Sequence, residues 1–206
     1  MTSVSRCSSA TIAADVATRR RSLLAAAAFV CLTALVPAAA QAPRVNADAQ
    51  LSVDFLNRVN TYLELHKKLE ATLPPFSAKP TPTEIDTHAR ALARLIAQAR
   101  SSAAQGDLLT RDVRAYLRRQ MNRALAGPDG AAIKASIRED NVGPVKVRIN
   151  TRYPDAAPLS TMPPQILAEL PKLPGDMEYH FIAERLILLD VHAQMVVDYM
   201  DDAVPK

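Results

Sequence analysis

The sequence predicts an α+β domain: three to four N-terminal helices packed on a small C-terminal antiparallel β-meander of three to four strands. Apolar residues first recur every three or four positions, the period of a helix buried along one face. At Gly143-Pro144 the period changes to two, that of a half-buried strand. The last part of the chain then holds three short aliphatic runs joined by polar pairs, which is the pattern of a meander.

Residues 1–40 stand apart from this domain. Arg19, Arg20 and Arg21 precede an apolar run from Leu23 to Val36, followed by Pro37 and small residues. A basic start, an apolar core and a small-residue end make a secretory signal peptide. Small side chains at Ala38 and Ala40 suit a signal peptidase, which places cleavage between Ala40 and Gln41. Arg20-Arg21-Ser22-Leu23-Leu24 also has the twin-arginine form, and general secretion and twin-arginine export both stay open. The apolar run covers roughly 14 residues against the ~20 that span a bilayer, so no stable membrane insertion is expected after cleavage. The expected location is the periplasm or the exterior. Residues 41–50 are then a flexible N-terminus. Residues 51–206 form a single domain, helical over about 51–140 and β over about 144–200.

Composition removes several function classes. Of 25 basic and 21 acidic residues, the first forty hold four arginines and one aspartate, which leaves 21 against 20 in the remainder. A nearly neutral domain without tryptophan is no nucleic-acid binder, whose footprint has to be basic. Cys7 and Cys31 both fall in the export segment, so the mature part has no disulfide, thiolate metal site or cysteine nucleophile. The five glycines form no G-x-G and no phosphate-cradling loop, and no G-x-S-x-G elbow occurs.

Along residues 52–73, Phe55, Val59, Tyr62, His66 and Leu69 share one helical face, which Pro74-Pro75 ends. Thr81-Pro82-Thr83-Glu84 is a capping box with proline in the first turn. The helix it opens is expected to bury Ile85, His88, Leu92, Leu95, Ile96 and Ala99. A third helix starts at Thr110, buries Val113, Tyr116, Leu117, Met121 and Leu125, and stops at Gly127-Pro128. Residues 131–139 make a short fourth.

Val145, Val147 and Ile149 alternate with polar residues as a first strand, and Pro163-Pro164 can open one or two helical turns. The meander strands are residues 178–183, 186–191 and 194–200, with turns at Glu184-Arg185 and His192-Ala193. This register pairs Ala183 with Leu186 and Val191 with Gln194. Tyr179, Phe181, Leu186, Leu188, Met195, Val197 and Tyr199 then share one face; Ile182, Ile187, Leu189, Val191 and Val196 share the other. Helices cover one apolar face, and the proline-rich segment or a second subunit must cover the other.

Four residues form the sharpest candidate site. His66 and Glu70 are four apart near the end of the first helix, and Glu84 and His88 are four apart at the start of the second. Residues at that spacing share a face. In an antiparallel helix pair the two faces meet as a two-His, two-Glu site for Zn²⁺ or a similar ion. The meander adds a second polar group, His180, Asp190, His192 and Asp198.

The run from Glu178 to Tyr199, with Leu186-Ile187-Leu188-Leu189-Asp190 and Val196-Val197-Asp198 inside it, resembles the closing hairpin of periplasmic nickel/cobalt-homeostasis proteins of the RcnB type. With Arg152-Tyr153-Pro154-Asp155 the chain also resembles exported bacterial proteins of unknown function. The resemblance implies a periplasmic home. Metal homeostasis is not carried over, because that family has a His-rich mature region and this chain has four scattered histidines. Three functions follow as expectations. The first is a non-enzymatic domain that contacts an envelope protein or a second copy of itself. The second is a metal- or small-ligand-binding module using His66 and His88, and the third is a hydrolase.

Overall fold

Asn46 opens the first helix: its side chain accepts the Asp48 N–H at 3.1 Å, and α1 runs Ala47–Glu70. The computed structural model describes residues 46–139, 146–153 and 159–205. The helix starts earlier than the apolar stripe does, and residues 47–50, expected to be flexible, lie inside it because the cap is polar. The expected signal peptide and its Ala40–Gln41 cleavage point lie outside the described residues. Among the described residues no helix is long and apolar enough to cross a membrane.

Thr81 caps α2 (Pro82–Ala99) by accepting the Glu84 N–H, and Thr110 caps α3 (Arg111–Leu125) by accepting the Val113 N–H. The α3 stripe is buried as its spacing predicts, from Val113 to Leu125. In α2 the buried stripe is Ala89, Leu92, Ala93 and Ile96, while His88 and Leu95 are only half-buried and Ile85 and Ala99, at the two ends of the helix, are exposed. α4 (Gly130–Glu139) follows, and α5 (Pro164–Glu169) forms after Pro163.

The sheet consists of β1 (Thr151–Arg152), β2 (Met177–Ile182), β3 (Arg185–Asp190) and β4 (Met195–Met200), all antiparallel, in the order β1-β4-β3-β2. The fold is α+β, with α1 packed on α2 and α3, and α3 on α4 and α5. The core joins helical side chains such as Phe55, Leu92 and Leu117 to Phe181, Leu186, Leu188, Met195 and Met200 of the sheet.

Three expectations change. The alternating stretch after Gly143 is not a strand in its described part. Asn150 adopts φ 55°, a left-handed conformation that interrupts extended backbone, so pairing begins only at Thr151, opposite Val196. The β2–β3 turn centres on Ala183-Glu184, so Phe181 faces Leu186 rather than Leu188. A slide of two residues keeps every side chain on its face, since strand side chains alternate with period two. In β4 a bulge between Leu188 and Leu189 of the partner strand makes Val197 an extra residue. Beyond it the alternation inverts: Met200 enters the helical core and Tyr199 joins the opposite face. That face, Ile182, Ile187, Leu189 and Val196, is buried and packs with Tyr153 and Val147.

Candidate metal centre

One end of the sheet meets the last turns of α1. Met177 pairs with Asp190 there, and Val191 donates its N–H to the Asp176 carbonyl at 2.9 Å, so Asp176 and the turn of residues 191–194 lie side by side. His66 reaches this end from α1 and is 1% exposed. Its Nδ1–H donates to Asp190 Oδ2 at 2.6 Å, and the Tyr62 hydroxyl donates to the same oxygen at 2.5 Å. Asp190 is wholly buried. A carboxylate only accepts, so the proton of that pair resides on Nδ1.

The other ring nitrogen of His66 is the distinctive atom. Nε2 is buried and makes no hydrogen bond, yet it lies 3.3 Å from Glu70 Oε2. Around the second Glu70 oxygen stand His88 Nε2 at 3.5 Å, itself buried without a hydrogen-bond partner, and His192 Nδ1 at 3.7 Å. His192 Nε2 lies 3.6 Å from Asp176 Oδ1. His66, Asp176 and His192 each place one donor atom within 4.8 Å of the others. Four ligands at about 2.05 Å from a tetrahedral ion are spaced about 3.4 Å apart, inside the 4.8 Å that bounds these three donors, so an ion would draw them together.

Electrostatics point the same way. Burial disfavours the charged His66 ring, but the hydrogen bond and charge of Asp190, joined by Glu70, outweigh it and raise the His66 pKa above the ordinary imidazole value. The cleft therefore stabilises positive charge. Burial, then the Asp190 charge and hydrogen bond, push the Tyr62 phenol upward, so it stays a donor. Arg100 lies over the Tyr62 ring at 5.2 Å and opposes that shift.

Of the four residues singled out by helical spacing, His66, Glu70 and His88 converge. Glu84 does not, because its carboxylate accepts the Ser77 N–H at 2.7 Å and the Ser77 hydroxyl at 2.8 Å. These bonds, with a weaker one from the Thr81 backbone, lower the Glu84 pKa from the ordinary carboxylate value. Asp176 had no signal in the sequence, lying in a loop without a motif. Asp190 and His192 were visible as meander polar residues, but nothing in their spacing tied them to α1. Of the remaining meander group, His180 pairs with the Ser160 carbonyl and Glu178, and Asp198 bonds the backbone of residues 106–109.

No family model matches the chain, and no curated protein or solved structure matches it either.

Proposed function

We propose that the domain binds a divalent transition-metal ion with His66, His192 and Asp176, and with Glu70 closing the site. The observation that carries this is the buried His66 Nε2. Its partner nitrogen is already committed to Asp190, and a carboxylate faces it at 3.3 Å. A lone pair and a carboxylate oxygen repel at that distance unless a proton or a metal ion lies between them. Two neutral imidazoles and two carboxylates match a dication in charge, and nitrogen donors select zinc, nickel or cobalt over calcium and magnesium. His192 and Asp176 are partly exposed, which gives the ion a route in and out.

The test is isothermal titration of EDTA-treated protein with Zn²⁺ and Ni²⁺. Saturable binding at one site, lost in His66→Ala and weakened at least tenfold in His192→Ala, supports the proposal. No heat at micromolar ion ends it. We also propose that the domain works outside the cytosol after removal of residues 1–40. Intact-mass measurement of the cellular protein should give a chain starting at Gln41, and a cytosolic chain retaining Met1 would refute it.

A second reading, self-association, is favoured by the cleft of about 1010 Å³ between α5 and the edge strand β2. Leu159 and Leu167 lie at this cleft and are about half exposed. Light scattering across a concentration series should show a dimer that Leu167→Ser dissociates, and a monomer at every concentration removes this reading.

A further inference from the structure

We infer that Asp190 is the positioning residue of this metal centre, holding both histidine donors with its two carboxylate oxygens. The inference rests on the metal-binding proposal above. Oδ2 acts on His66: it accepts the Nδ1–H at 2.6 Å and so leaves the lone pair on Nε2, the atom that faces Glu70. A carboxylate behind a ligating imidazole fixes its tautomer and orientation and makes the ring a better donor. The Tyr62 hydroxyl, on the same oxygen at 2.5 Å, keeps the carboxylate from rotating away.

Oδ1 acts on His192. It accepts the Ala193 N–H at 2.9 Å and closes the turn of residues 191–194, in which His192 is the second residue. Asp176 is set by the same residue through the backbone. Asp190 pairs with Met177, and the next residue, Val191, donates to the Asp176 carbonyl. Two histidine donors are thus referenced to one buried side chain, and Asp176 to the backbone that follows it.

Asp190→Asn separates this role from simple packing. The amide keeps the shape and one acceptor, but an NH₂ group facing His66 Nδ1 moves the ring proton to Nε2 and blocks the donor atom. Zn²⁺ affinity of the mature domain should fall about 10- to 100-fold in Asp190→Asn and less than about twofold in Glu84→Gln, whose carboxylate is bonded to Ser77 away from the site. The ¹⁵N shifts of His66 in zinc-free protein at alkaline pH supply a readout that packing does not move. They should report the Nδ1–H tautomer in the wild type and the Nε2–H tautomer in Asp190→Asn. A folded Asp190→Asn protein that binds zinc like the wild type overturns the inference. So does an Nε2–H tautomer in the wild type, which decides the matter even if the variant fails to fold. Absence of zinc binding in the wild type instead defeats the metal proposal, and the tautomer measurement tells the two failures apart.

Discussion

Asp198 accepts the backbone N–H of Leu109 at 2.9 Å across 89 residues of sequence. The same carboxylate accepts the Leu108 N–H at 2.9 Å and the Gly106 N–H at 3.0 Å, and Asp198 is wholly buried. The β4 bulge allows this. Val197 and Asp198 together oppose Leu188, which turns the aspartate toward the helices and the segment that leads into α3.

Asp198→Ala removes the acceptor for four backbone donors in one step, those of Gly106, Leu108, Leu109 and Tyr199. The Leu108 and Leu109 bonds are buried, and each buried N–H left unpaired costs about 1–3 kcal/mol, so the variant should lose roughly 2–6 kcal/mol of stability. Urea unfolding followed by circular dichroism measures this. A loss below about 1 kcal/mol would show that water replaces the carboxylate.

The two glutamates of the helix pair should behave oppositely in zinc titrations. Glu70 stands among three histidine nitrogens, so Glu70→Gln should weaken Zn²⁺ binding at least tenfold. Glu84 is bonded to Ser77, so Glu84→Gln should leave the affinity within about twofold. Equal effects would mean that the ion sits between α1 and α2 rather than at the sheet end.

What the sequence discloses here follows from the range of each signal. The caps at Thr81 and Thr110 and the buried face of α3 are local, set by residues within one or two turns, and they read correctly. The faces of β2 and β3 survive a misplaced turn because the slide was even. Tyr199 is misread because a bulge has no side-chain signature in Val196-Val197-Asp198. The site divides in the same way. His66, Glu70 and His88 are legible as neighbours on adjoining helices. Asp190, His192 and Asp176 join them only through docking of the meander on α1, a contact between residues more than a hundred positions apart.

Gly130, the first residue of α4, should tolerate no side chain. A Cβ there would lie 1.9 Å from the Leu125 carbonyl oxygen, and that partner is backbone at the end of α3. Relief requires the two helix ends to part, and Leu125 and Ile133 are buried on either side of the joint. Gly130→Ala should destabilise the domain by about 1–3 kcal/mol despite the gain in helix propensity, and Gly127→Ala, with its nearest contact at 3.4 Å, by much less. Calorimetric melting of the two variants beside the wild type checks the difference.

The raised pKa of His66 fixes the sign of a pH dependence, and metal reverses it. In the zinc-free protein the folded imidazolium is favoured by Asp190 and Glu70, so the folded pKa exceeds the unfolded value of about 6.5. The folded state then binds the proton more tightly. That contribution is fully present below pH ~6.5 and is lost as pH rises through the folded pKa. With EDTA present, the melting temperature of the wild type should therefore exceed that of His66→Gln most at mildly acidic pH, and the gap should shrink on the alkaline side. With zinc the trend inverts, because the ion competes with the proton for Nε2 and binds the neutral ring. The stabilisation by saturating Zn²⁺ should grow with pH over the same interval and be absent in His66→Gln. Slopes of the same sign with and without zinc would place the ion elsewhere than on His66.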